Sequence, residues 1–335
     1  VHTDEYYAEK AKQMALAGAE RIFIKDVDGL LTPERTRTLV PAILKKIAGI
    51  PLEIHGHCTT GLEPICYLEA VKLGVTTVHT AVSPLANGPS QPSIENILKN
   101  LPHLGFSADI DEDALKNMTE HFRYIAEREG FPMGAPVEYD LFQYEHQVPG
   151  GMMSNYKAEL VKRGLNRRLN ALLREIAQIR KELGFPIMVT PLSQYIGAQA
   201  ILNQTGGERY KIVTDEVIKY VLGHFGELAA PVEKSVLEKI LKMPRAKELE
   251  NWEPPQKSIE ALRREFGPGL SDEDFLLRVL SSNQEALNDV LAAGPQKYDY
   301  PRGDKPIMSL IRELSERKDG ASVQIRKGDF FLEMR

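Results

Sequence analysis

His55 and His57 stand two residues apart in LEIHGHCTTG, where a β-branched run ends. Side chains alternate along a strand, so imidazoles at i and i+2 share one face. Two neutral imidazoles on one face suit a divalent transition metal; a pair of polar residues at a strand end is the plainer reading. Cys58 falls on the opposite face by the same alternation. Lys25 closes the apolar run RIFIKD, where a buried ammonium is costly unless it is paired or chemically changed. Carbamylation by CO2 would make it an anionic oxygen ligand, whereas a lysine held by Asp26 or Asp28 is the ordinary alternative. In EHQVPGGMMSN, Gly150 and Gly151 give a backbone free to approach a ligand, and Ser154 follows. No Ser-His-Asp arrangement surrounds Ser154, so its hydroxyl suits proton shuttling better than nucleophilic attack; helix capping ahead of NYKAELV is the alternative. VTPLSQYIGAQA combines a turn with small residues that would pack closely against this loop.

These residues need elements to position them. From residue 4 to about 104, helical patterns alternate with the short runs RIFIKD, PLEIHGH and TTVHTAV. Strands beginning near residues 21, 52 and 76 and separated by helix-length segments must be parallel. Pro33 suits a first helical turn, and Gly49 and Gly74 suit helix ends. Both candidate histidines then lie at the C-terminal end of a parallel strand, where active sites of parallel barrels are built. His79 lies on the third run, near that site, with no role assigned. After residue 105 the pattern is helical without strands. NWEPPQKS near residue 251 breaks the helices, GPQKYDYPRGDKP (294–306) reads as a linker, and a tail follows with the helix PIMSLIRELSERK and the strands SVQIRKG and FFLEMR.

The 335 residues, with 42 basic and 47 acidic side chains, give a net charge of −5 with no basic block for a phosphate backbone. No apolar stretch approaches membrane-spanning length, and VHTDEYYAEK lacks the parts of a signal peptide, so a cytoplasmic protein is expected. The cysteines, Cys58 and Cys66, are too few for a disulfide framework or a four-cysteine zinc site. Neither GxGxxG nor a P-loop signature occurs.

IKDVDGLLTPERTRTLV, LEIHGHCTTGLEP, TAVSPLANGPSQPS, YEHQVPGGMMSNYKAELVKRGL and VTPLSQYIGAQA occur in this order. Together they resemble the carboxyltransferase component of biotin-dependent pyruvate carboxylase, the oxaloacetate decarboxylase alpha subunit and transcarboxylase, over residues 1–293. Serine in GGMMSN, where pyruvate carboxylases usually carry threonine, leans toward the decarboxylase and two-subunit carboxylase branch. The resemblance implies an α/β fold: a (β/α)8 TIM-type barrel lacking its N-terminal strands, then a mostly helical domain. The implied divisions are 1–145 for the barrel part, 146–293 for the helical carboxyltransferase domain, 294–306 for a linker and 307–335 for a small α+β tail toward a biotin carrier.

It further implies a divalent metal (Zn, Mn or Co) held by His55, His57 and carbamylated Lys25, with the family's fourth ligand, an aspartate on the first barrel strand, missing here. Ser154 would move the proton, and Gly150 and Gly151 would line the substrate or biotin site. Pyruvate or oxaloacetate would be the substrate, CO2 would arrive on biotin held by a carrier domain or subunit, and biotin carboxylase or decarboxylase subunits and a second copy of the chain would be partners. No Met-Lys-Met biotinylation turn occurs in the chain. Two other readings are a metal-dependent acyl-CoA lyase of the related barrels, which also use His-x-His but lack PGGMMSN, and a noncatalytic, partner-dependent piece.

Overall fold

The computed structural model describes residues 1–162, 164–254, 256–295, 310–311, 314, 323–328 and 330–334. They form two compact units, Val1–Glu250 and Asn251–Arg335, and the division falls in the NWEPPQKS break.

The first unit opens with α1 (Asp4–Leu16), β1 (Ile22–Asp26), α2 (Pro33–Leu44), β2 (Leu52–Gly56), α3 (Glu63–Lys72) and β3 (Thr77–Val78). Thr3 and Thr32 cap the first two helices, each hydroxyl accepting a backbone N–H three residues on, at 3.2 Å. Pro33 takes the first helical position, where its missing N–H costs nothing. Gly74, at a φ of 103°, ends α3, whereas α2 stops at Leu44 and Gly49 closes the turn beyond it.

The strands are parallel in the order β1-β2-β3, with Ile22 opposite Leu52 and Ile54 opposite Val78. The expected parallel α/β arrangement is therefore present, as a three-stranded sheet among the described residues. Ile22, Leu52 and Ile54 turn one face of the sheet toward Leu39, Val40 and Ile43 of α2 and Cys66, Tyr67 and Ala70 of α3. Burying each large aliphatic side chain contributes about 1.5–3 kcal/mol. The other face carries Phe23, Lys25, Glu53 and His55, and Phe23 is 49% exposed there.

Helices make up the rest of this unit: α4 (Ile94–Asn100), α5 (Glu112–Glu129), α6 (Gln143–His146), α7 (Gly150–Lys162), α8 (Leu169–Glu182), α9 (Leu192–Thr205), α10 (Asp215–Val221), α11 (Lys234–Leu241) and α12 (Pro244–Leu249). Helix α8 buries Leu172, Leu173, Ile176 and Ile179, the stripe its periodicity dictates. Its last residue, Glu182, is buried but compensated: Arg209 donates to it at 2.6 Å and the Tyr210 hydroxyl at 2.7 Å.

The second unit contains α13 (Ile259–Phe266), α14 (Asp272–Leu280), α15 (Gln284–Ala293) and the antiparallel pair β4 (Val323–Lys327) and β5 (Phe330–Met334). These two strands are the pair expected in the tail. The expected linker (294–306) and tail helix (306–318) lie outside the described residues except at 294–295, 310–311 and 314. No described helix is long and apolar enough to cross a membrane.

Candidate active site

Strand pairing assembles the site. Lys25 of β1 stands opposite His55 of β2, and His79, one residue past β3, donates its backbone N–H to the Ile54 carbonyl at 2.9 Å. Lys25, His55 and His79 therefore sit across neighbouring strands, and alternation puts Glu53 and His57 on the same face. The imidazole nitrogens are close: His55 Nε2 lies 3.3 Å from His57 Nε2, and His55 Nδ1 lies 3.1 Å from His79 Nδ1. Beyond them, His79 Nε2 is 2.9 Å from Glu53 Oε2, and Glu53 Oε1 accepts from Arg21 at 2.8 Å. The Gln91 side-chain nitrogen lies 3.3 Å from His55 Nε2.

Burial lowers the His55 pKa, and His57, His79 and Lys25 lower it further. Burial and then the Lys25 cation do the same for His57. Both rings are thereby kept neutral, the form in which an imidazole has a lone pair to offer.

The expectation of a buried Lys25 is overturned. Lys25 is exposed, because it shares the open face with Phe23 while Ile22 packs beneath the helices. Desolvation therefore gives no reason for its modification. Its place opposite His55 gives a different one, since a free ammonium there would repel a metal cation.

Two convergent imidazole nitrogens fit a divalent transition metal. Among the described residues no group of three or more His, Cys, Asp or Glu side chains could hold one. The donor set fits only if Lys25, as its carbamate, supplies oxygen. Cys58 takes no part; it is buried, and burial pushes its thiol up to about 12.

The helical half reaches this site through the start of α7. A Cβ on Gly150 would lie 2.3 Å from Pro89 Cβ, so only glycine lets α7 close onto Pro89; the Thr59 methyl group, on the loop that follows His57, would be in ordinary contact at 3.6 Å. On the other side of that loop, a Cβ on Gly29 would meet the His57 carbonyl at 2.4 Å. Gly29 also holds a φ of 63°, and the Thr59 hydroxyl donates to the neighbouring Asp28 carbonyl. Gly151 has open space around its Cβ position. Ser154 is exposed and lies inside α7, which begins at Gly150; this removes the capping alternative.

Arg180 of α8 fixes the approach to α7, donating to the Glu145 carbonyl at 2.5 Å and to Gln147 Oε1 at 2.6 Å. His146 Nδ1 accepts the Val148 N–H at 3.0 Å, and burial drives its pKa down to about 4. Between β1 and these helices opens a cavity of about 1020 Å³ lined by Lys25, Asp26, Asp28, Tyr144, Arg180 and Met188 among others. Burial, reinforced by Asp26, raises the Asp28 carboxyl to about 8.

Glu53 and Gln91 were not among the residues expected from sequence, and His79 carried no role. Their signal was present: Glu53 is two residues before His55, and His79 falls beside His55 once the two strands are paired in register.

Residues 144–284 match the model of a family described as a conserved carboxylase domain. The chain is 38% identical over 244 residues to a pyruvate carboxylase subunit of Methanocaldococcus jannaschii, covering 72% of this chain and 42% of that protein. It is 32% identical over 338 aligned positions to the 2-oxoglutarate carboxylase large subunit of Hydrogenobacter thermophilus, covering 96% of this chain and 49% of that one. The solved carboxyl transferase domain from Rhizobium etli pyruvate carboxylase with pyruvate shares the fold, with a TM-score of 0.74 at 21% identity over 99% of this chain and 57% of that chain. The chain thus spans about half the length of the curated relatives it matches.

Proposed function

Because the chain belongs to the carboxyltransferase family of biotin-dependent carboxylases, we propose that it moves CO2 between carboxybiotin and the pyruvate/oxaloacetate pair. The observation that carries this reading is the convergence of His55 and His57, Nε2 to Nε2 at 3.3 Å, with Lys25 in register beside them. In this reading β1, β2 and β3 are consecutive strands of a (β/α)8 barrel, and residues 146–293 are the helical carboxyltransferase domain.

His55, His57 and the Lys25 carbamate are the residues that would hold a divalent metal. When bound, the metal supplies a Lewis acid that polarises a keto acid's carbonyl and makes its methyl protons more acidic. The histidines contribute neutral nitrogen donors, held neutral by burial. Biotin enters as a co-substrate on a carrier domain or a separate chain, a division supported by relatives that are themselves single subunits of pyruvate carboxylase. Ser154 holds the proton that passes between the keto acid's methyl carbon and the biotin ring nitrogen. Its exposure in α7, on a helix seated against Pro89, leaves the hydroxyl open to both partners. Pro149 to Gly151 give the backbone surface that substrate or biotin meets.

Decarboxylation of oxaloacetate by the purified chain, with and without free biotin and after subtracting the metal-only rate, tests the proposal. Biotin-stimulated turnover, lost in Ser154→Ala with metal content retained, is the expected result. Equal rates with and without biotin would overturn it. Adding 2-oxoglutarate as a competitor reports on the choice of keto acid.

A further inference from the structure

We propose that Glu53 and His79 form a positioning relay that decides which nitrogen of His55 carries its proton, holding the Nε2 lone pair of His55 toward His57. The inference rests on the reading of His55 and His57 as metal-holding residues and adds the pair that orients one of them.

The argument is one of donors and acceptors. A carboxylate only accepts, so the 2.9 Å contact to Glu53 Oε2 places a proton on His79 Nε2. The other oxygen of Glu53 is engaged by Arg21 at 2.8 Å, which anchors the carboxylate as an anion. Where the His79 ring carries that one proton, Nδ1 presents a lone pair, and the 3.1 Å contact is then a donation from His55 Nδ1. His55 Nε2 is left unprotonated on the side facing His57.

A second contact points the same way. The Gln91 side-chain nitrogen, a donor only, lies 3.3 Å from His55 Nε2 and needs a lone pair there. The geometry is held from the core by the buried Tyr67, whose hydroxyl accepts the Gly56 N–H at 2.9 Å and donates to the His79 carbonyl at 2.7 Å. One phenol thus ties the residue between the two histidines to the relay residue on the next strand. Such outer partners fix the tautomer and ring orientation of ligating histidines and raise their basicity.

The test reads the tautomer directly, without metal. The full chain is labelled with 15N-histidine, stripped with EDTA and measured at pH 8 by two-bond 1H–15N spectra, with circular dichroism confirming that each variant is folded. The wild type is expected to show His55 protonated at Nδ1. His79→Ala should shift it toward Nε2–H, and His79→Asn, whose amide oxygen can take the place of Nδ1, should restore the original form. Co2+ titration of the same samples should show about a 10–100-fold loss of affinity in His79→Ala, recovered in His79→Asn. An Nε2 proton on wild-type His55, or an unchanged tautomer in folded His79→Ala, would overturn the relay. If His79→Ala does not fold, the wild-type spectrum and His79→Asn still decide the question. A wild type with the expected tautomer but no Co2+ affinity would instead overturn the metal reading and leave the relay standing.

Discussion

Glu63 is fully buried beneath Gly56, and neither of its carboxylate oxygens finds a hydrogen-bond partner. Burial, with Asp26 adding, raises its pKa well above 4.5, so the folded protein holds it as the neutral acid. Cys58, Cys66 and Tyr67 also face it, and their own pKa values are raised chiefly by burial. The unfolded chain ionises this group near its ordinary value and the folded chain does not. Its contribution to stability is therefore full below about pH 4.5 and lost as pH rises toward the folded pKa, by about 1.4 kcal/mol per pH unit. Glu63→Gln should remove that slope, and urea unfolding of both proteins from pH 4 to pH 8 measures it; curves that stay parallel would refute the neutral-acid assignment. The sequence hid this carboxyl, because a glutamate in the first turn of a helix ordinarily favours the positive end of the dipole and stays wet. Lys25 was misread in the opposite sense, since a β-branched run does not say which of its alternating faces is covered. Lys25→Ala should abolish or greatly weaken metal binding, and full metal content in that variant, read by elemental analysis, would refute the carbamate.

The start of α7 decides how the helical half meets the histidines. Gly150 and Gly151 looked alike in PGGMMSN, yet the structure separates them: a Cβ at 150 meets the Pro89 backbone and side chain, and a Cβ at 151 meets nothing. Gly150→Ala should therefore destabilise by about 1–3 kcal/mol, the cost of forcing extra volume into a packed contact. Gly151→Ala should be neutral or stabilising by up to about 1 kcal/mol, since alanine is the better helix former. Chemical denaturation of the two variants checks the contrast, and equal effects would mean that α7 is not seated on Pro89. The βα alternation through residue 104 and the Pro33 helix start were legible because both are local patterns. The Glu53-His79-His55 chain was not. It depends on register between strands whose sequences lie some two dozen residues apart, and β3 is only two residues long.

All the groups proposed to act together lie between Val1 and Glu250, in one compact unit. That unit has its own sheet core around Ile54 and Tyr67 and its own helical core around Ile176 and Ile179. The Glu182 carboxylate buried beside that helical core is matched within the same unit by Arg209, which also pairs with Glu175. Five ordered motifs made the family legible in the sequence, and the last of them ends at residue 200, well inside this unit. The family match itself runs on to residue 284, so it takes in residues 251–284 of the second unit as well. A chain ending at Glu250 should accordingly keep the His55 tautomer and its Co2+ affinity within about twofold, the additivity expected of independent sites. Its biotin-stimulated turnover is the separate quantity in which residues 251–284 would show their part. Loss of Co2+ affinity in the folded shorter chain would show that the site is not self-contained within Val1–Glu250.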